Sequence, residues 1–230
     1  MSHVSAIDVL YDGDCEQYAR TMWNSMANHA GDDGVRMDGE YTPGGGWQRF
    51  EWKQFSSPAM RSFDRHEDRE GTAAPDLPHV EIRYDPGPIR EALESHDEPK
   101  VAEYSIDVME LAAAAYSGGP SRPKFVYGVS EPHFSRLVEN DVPPPVTPES
   151  LAEDRIEYAS WLMGFPPSIV ETYGRETLLS APAWQTSELP DGGVVILATE
   201  NPTNVCKPET RAIDQHLDLD PPPETEECDY

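Results

Sequence analysis

One cysteine stands where a chain can make a thiol reactive. Residues 9–18 read Val-Leu-Tyr-Asp-Gly-Asp-Cys-Glu-Gln-Tyr, a β-prone run that turns through Gly13 into a helix starting near Cys15. A thiol at a helix N-terminus feels the positive end of the helix dipole, which lowers its pKa and favours the nucleophilic thiolate. Asp12, Asp14 and Glu16 push the other way, because nearby negative charge disfavours a second one. Three residues on stands Tyr18, not a second cysteine, so no dithiol cycle can run within this turn. A structural role fits the same residues. Cys15, Tyr18, Ala19, Met22, Trp23 and Met26 follow the spacing of one helical face, with Cys15 as its first apolar position.

Other chemistry finds little footing. No Gly-x-Ser-x-Gly elbow accompanies the serines and histidines. Gly44-Gly45-Gly46 lacks the Lys-Ser/Thr of a phosphate loop, and Asp12-Gly13-Asp14 lacks the glutamate that closes a calcium loop. Cysteines number three (Cys15, Cys206, Cys228) at irregular spacing, which fits neither a disulfide framework nor a four-ligand zinc site. The nearest approach to a ligand cluster, Asp64-Arg65-His66-Glu67-Asp68, sits in a polar stretch flanked by prolines and glycines and reads as a solvated loop. No metal or cofactor is expected.

Composition narrows the partners. The 230 residues carry 43 acidic and 17 basic side chains, a formal charge of −26, and only 4 of the basic residues are lysine. Like charges at this density repel over about 10 Å in dilute salt and over about 3 Å in molar salt, so the surface suits brine. Without a Lys/Arg cluster, nucleic-acid binding has no counterion-release term to draw on. No apolar run approaches the roughly 20 residues that span a bilayer, and the N-terminal ten lack a signal-peptide pattern. A soluble cytoplasmic protein is expected.

The elements that would position Cys15 and the rest read as one α+β domain over residues 1–217, with a mixed or antiparallel sheet and helices mainly on one face. Strands are expected at 7–11, 47–55, 80–84, 101–106, 125–129 and 156–163. Helices are expected from Asp14, whose side chain caps with Gln17 three residues later, from Pro88, from a cap at Asp107 to Gly118, from Ser130, around Ile169–Val170–Tyr173, and over 208–217. Residues 56–78 read as a long polar loop and 143–148 as a stiff proline connection. The runs 183–189 and 194–199 flank Pro190-Asp191-Gly192-Gly193, a hairpin signal, and Trp184 is expected on the core face of that hairpin. The tail, 218–230, is too acidic and proline-rich to pack and is expected to be disordered.

Two segments resemble known families. Residues 9–18 are similar to the opening of the DCC family of thiol-disulfide oxidoreductase-like proteins, where a strand runs into Asp-Gly-x-Cys-x-x-Cys; Tyr18 here replaces the resolving cysteine. That resemblance implies a degenerate thiol oxidoreductase with Cys15 as its catalytic residue. The longer one spans residues 107–202, about 95 of 230. Leu111-Ala112-Ala113-Ala114-Ala115-Tyr116, Arg122-Pro123-Lys124-Phe125-Val126-Tyr127-Gly128, Tyr158-Ala159-Ser160-Trp161-Leu162, Tyr173-Gly174-Arg175-Glu176-Thr177-Leu178-Leu179-Ser180-Ala181-Pro182, Leu189-Pro190-Asp191-Gly192-Gly193-Val194-Val195 and Thr199-Glu200-Asn201-Pro202 follow in order. Together they resemble an immunity-protein family of bacterial polymorphic-toxin systems. The resemblance implies a non-enzymatic binding protein whose partner is a protein toxin, and it marks no contact residues.

Overall fold

The computed structural model describes residues 5–29, 35–37, 48–52, 59–63, 77–130, 144–200 and 208–221. Among them run β1 (Ser5–Leu10), α1 (Cys15–His29), β2 (Val35–Met37), β3 (Gln48–Trp52), β4 (Ala59–Phe63), β5 (His79–Tyr84), α2 (Gly87–Glu94), α3 (Glu98–Gly118), β6 (Phe125–Ser130), α4 (Pro148–Ala152), β7 (Leu162–Phe165), α5 (Pro167–Tyr173), α6 (Arg175–Leu179), β8 (Gln185–Glu188), β9 (Val194–Leu197) and α7 (Pro208–His216). The strands form one sheet in the order β2-β3-β4-β5-β1-β6-β7-β9-β8. Every pairing is antiparallel, so the fold is α+β as expected.

β1 lies in the middle of the sheet, and all six of its residues are buried. Its alternation separates two cores, because successive side chains point to opposite faces. Ile7 and Val9 join Val80, Ile82, Val126, Leu162, Val195 and Leu197 under the long helices α1 and α3 and the shorter α2. Leu10 lies with Phe125, Tyr127, Met163, Phe165, Val194 and Ile196 on the opposite face, closed by the short helices of the second half through Ile169, Val170, Leu178, Ile213 and Leu217. The long helices thus cover one face, and the short ones add a thinner layer on the other. No described helix is long and apolar enough to cross a membrane.

Local chemistry explains most boundaries. Gln17 N–H donates to Asp14 Oδ1 at 2.7 Å, capping α1 as its sequence predicts. Thr147 and Ser150 cap α4 reciprocally, at 3.1 and 2.9 Å. Gly174, at φ +88°, ends α5 in a conformation that side-chain-bearing residues avoid.

Several expectations fail. Residues 101–106 are not a strand, and Asp107 is not a cap. Both lie inside α3, whose cap is Asp97, accepting from Lys100 N at 3.4 Å. Within the helix Val101, Ser105, Val108, Ala112 and Ala115 are buried, a helical period that the β-prone Val101, Tyr104 and Ile106 mask in the sequence. Part of the expected 56–78 loop is β4. The strand expected at 156–163 begins only at Leu162, and α6 follows α5 unannounced. Leu219, in the expected disordered tail, packs against the second core and its N–H donates to Asp214 O at 2.9 Å. The helix expected from Ser130, the cluster 64–68 and residues 222–230 lie outside the described residues.

Trp184 is 50% exposed rather than on the core face. The reason lies in its position just ahead of β8, the last strand of the sheet. β9 is buried throughout, whereas β8 is half-buried and then exposed. Helix α6 meets β8 through a polar contact, Thr186 Oγ1 donating to Leu179 O at 3.1 Å.

Candidate functional site

Cys15 is the first residue of α1, half-buried against the first core. Its Sγ lies 4.0 Å from His79 O. Tyr18, at the position of the missing resolving cysteine, is fully buried and stacks on Tyr11 with ring centroids 3.9 Å apart and planes 9° apart. Its hydroxyl donates to Ser121 O at 3.2 Å, and burial raises its pKa. The turn from β1 into α1 is therefore filled by an aromatic pair where a dithiol would need a second sulfur. Cys206 and Cys228 lie outside the described residues. Thiol labelling of the native protein at neutral pH is expected to be slower at Cys15 than in urea by about tenfold or more, as for a group reached through local opening. Equal rates would return the thiol chemistry to consideration.

Two other places gather polar side chains. The first is inside the sheet. Asp8 on β1 is the cross-strand partner of both Glu81 on β5 and Tyr127 on β6, so the three share one face. Asp8 and Glu81 are both 0% exposed. Arg83 Nε contacts Glu81 Oε1 at 2.5 Å. Burial, then the charge of Asp8, holds the Tyr127 hydroxyl well above its usual pKa. Two carboxylates beside a phenol have the composition of acid–base machinery, but these are enclosed, and a substrate atom cannot come within the hydrogen-bond reach that proton transfer requires. Neither carboxylate is singled out by the sequence, where each is one acidic residue among 43.

The second place is open. The C-terminal end of α3 and the β8–β9 turn enclose a recess of about 460 Å³ lined by Tyr116, Ser117, Pro120, Arg122, Pro190 and Asp191. Asp191 organises it. Its Oδ2 accepts from Tyr116 OH at 3.2 Å and pairs with Arg122 Nε at 3.0 Å, and its Oδ1 accepts from Gly193 N at 2.9 Å. Burial and the Asp191 charge raise the Tyr116 pKa, so the phenol stays neutral. A charge-paired arginine, a neutral phenol, the carboxylate that binds both and two prolines can hold a surface group. Among the described residues no group of three or more His, Cys, Asp or Glu could hold a metal ion.

Tyr116, Arg122, Pro190 and Asp191 come from stretches far apart in the chain, and the fold brings them together. Tyr116 meets the Pro190–Gly193 turn, and Gly128 meets Trp161. Ser160 Oγ donates to the carbonyl of Gly128. These contacts give Tyr116, Gly128, Ser160, Trp161 and the Pro190–Gly193 turn packing roles.

No protein-family model matches the chain, and no curated protein matches it. A solved structure that it resembles is the Pseudomonas aeruginosa T6SS protein PA0821, with 11% identity and a TM-score of 0.46 over 94% of this chain and 72% of that one. A likeness this loose carries no functional reading.

Proposed function

We propose that this chain is a non-enzymatic binding protein of the toxin-immunity type, which covers a protein toxin by surface complementarity at the high salt its charge suits. The observation that carries the reading is Trp184, a large aromatic ring left half in water at 50% exposure beside a sheet edge. Tryptophan is among the residue types that dominate binding energy at protein interfaces. Covering the exposed half of the ring, roughly 100 Å², is worth about 2–3 kcal/mol at 25 cal/mol per Å². The open recess at Tyr116, Arg122 and Asp191 adds polar contacts.

The test is co-expression with the product of an adjacent toxin-like gene, followed by binding of the purified pair in molar KCl. Protection of the cells and direct binding are expected. Trp184→Ala is expected to melt at the wild-type temperature while weakening the complex by about thirtyfold or more, the fold-change that 2 kcal/mol corresponds to. Absence of both protection and binding for the toxin products of the neighbourhood would remove the reading.

A further inference from the structure

We propose that β8 is a docking edge, and that its occupant is an extended basic segment of a partner protein, added antiparallel or parallel to β8 as a further strand. The inference rests on the binding-protein reading and names the partner's chemistry. Among the described residues β8 is the terminal strand of the sheet and pairs with β9 on one side only. An edge strand presents a row of backbone N–H and C=O groups, which proteins that avoid strand addition blunt with charged side chains, proline, a bulge or a very short strand; of these β8 has its four-residue length and a terminal glutamate. β8 reads Gln-Thr-Ser-Glu and has no lysine or proline; Ser187 and Glu188 are exposed. Trp184, half exposed, comes directly ahead of the strand. Main-chain hydrogen bonds then supply affinity, and a side-chain pocket on the ring supplies selectivity, the division of labour in strand addition.

Charge chooses the occupant. Glu176 and Glu188 flank this edge with Arg175 between them, Arg175 Nε donating to Glu188 Oε1 at 2.9 Å and Arg175 Nη1 contacting Glu176 at 2.6 Å. The edge is therefore net acidic on a chain of charge −26. A second copy would set Glu188 against like charge on the added strand, and like charges directly opposite across paired strands are destabilising at contact distances that even molar salt screens least. A lysine- or arginine-bearing strand meets the reverse field.

The test uses the full chain and three blocked peptides: four Lys–Val repeats, four Glu–Val repeats, and four Lys–Pro repeats, which match the first in charge but cannot pair as a strand. The Lys–Val peptide is expected to bind saturably and to slow backbone hydrogen exchange at 184–188. Lys–Pro and Glu–Val are expected to bind about tenfold more weakly or worse, and Trp184→Ala to weaken Lys–Val binding about tenfold without moving the melting temperature. Equal binding of Lys–Val and Lys–Pro would reduce the effect to non-specific charge and overturn the proposal. So would absence of Lys–Val binding, protection elsewhere in the chain, or a dimer in sedimentation without peptide whose interface protects 184–188. Strand-selective binding in a protein that neutralises no toxin would keep the docking edge and remove only the immunity reading.

Discussion

Gly128→Ala is expected to be among the most damaging single-methyl changes in the chain, costing about 3 kcal/mol or more, the upper end of the range for forced overpacking. A Cβ on Gly128 would stand 2.2 Å from Trp161 Cε2, 2.5 Å from Cζ2 and 2.6 Å from Nε1. Neither side can yield cheaply. Gly128 is held in the middle of β6 opposite Ile7 of the central strand, and Ser160, next to Trp161, is tied to the Gly128 carbonyl. The ring itself is buried, edge-on to Tyr84 at 6.3 Å. Trp161→Ala is expected to cost about 3–5 kcal/mol as a buried aromatic deletion. Because the methyl and the ring claim the same space, Gly128→Ala combined with Trp161→Leu should cost less than the sum of the two single changes, by about 1–2 kcal/mol. Urea unfolding of the four proteins measures this directly. Strict additivity would mean that glycine is not there to admit the ring. Against a total stability of about 5–15 kcal/mol, the single change removes a large share.

That pair also shows how far the sequence reaches. Tyr127-Gly128 and Trp161 are legible separately as a strand end and a core aromatic, yet nothing in their spacing says that one makes room for the other. Patterns that are local survive the comparison: the Asp14 cap, the apolar stripe of α1, the Pro190–Gly193 turn and the Gly174 stop all act within a few residues. Patterns that depend on tertiary partners do not. Val101, Tyr104 and Ile106 carry β propensity, but burial along α3 selects the helical period, and Ile106 is left exposed. Strand alternation alone placed Trp184 inside. It holds only where a sheet face is covered, and beside the edge strand the ring finds open solvent. The enclosed Asp8–Glu81 pair is invisible in sequence for the same reason, since 73 positions of chain separate Asp8 on β1 from its cross-strand partner Glu81 on β5. The candidate recess was half legible: Tyr116, Arg122 and Asp191 stand in segments marked by resemblance, and only the fold makes them neighbours.

Asp214→Asn is expected to stabilise the protein at pH 7.5 and to leave it unchanged near pH 4. Asp214, on α7, is 3% exposed, and its Oδ1 accepts from Ala159 N at 2.6 Å, tying the last helix to the segment that leads into β7. Burial pushes its carboxyl up to about 6, against the opposing pull of the Ala159 hydrogen bond and the Arg211 charge. The unfolded value is about 3.9. Between those two values the native state holds a proton that the unfolded state has released, so stability falls as pH rises through this window. Below about pH 4 both states are protonated and the contribution is fully present; above pH 6 both are ionised and it is lost. A gap of about 2 pKa units corresponds to at most about 3 kcal/mol, less to the extent that solvent reaches the carboxylate. Asparagine keeps an oxygen for the Ala159 N–H and carries no charge, so the wild-type and variant stabilities should coincide at pH 4 and diverge up to pH 6. Taking the difference between the two proteins cancels the titration of the other acidic groups, which shift both alike. Asp214→Ala separates charge from hydrogen bond: it removes both, leaves the Ala159 N–H buried without its acceptor, and should cost about 1–3 kcal/mol even at pH 4. Parallel stability curves for Asp214 and its asparagine variant across pH 4–7.5 would show that the carboxyl titrates alike in both states, and that the charge at the base of α7 is solvated after all.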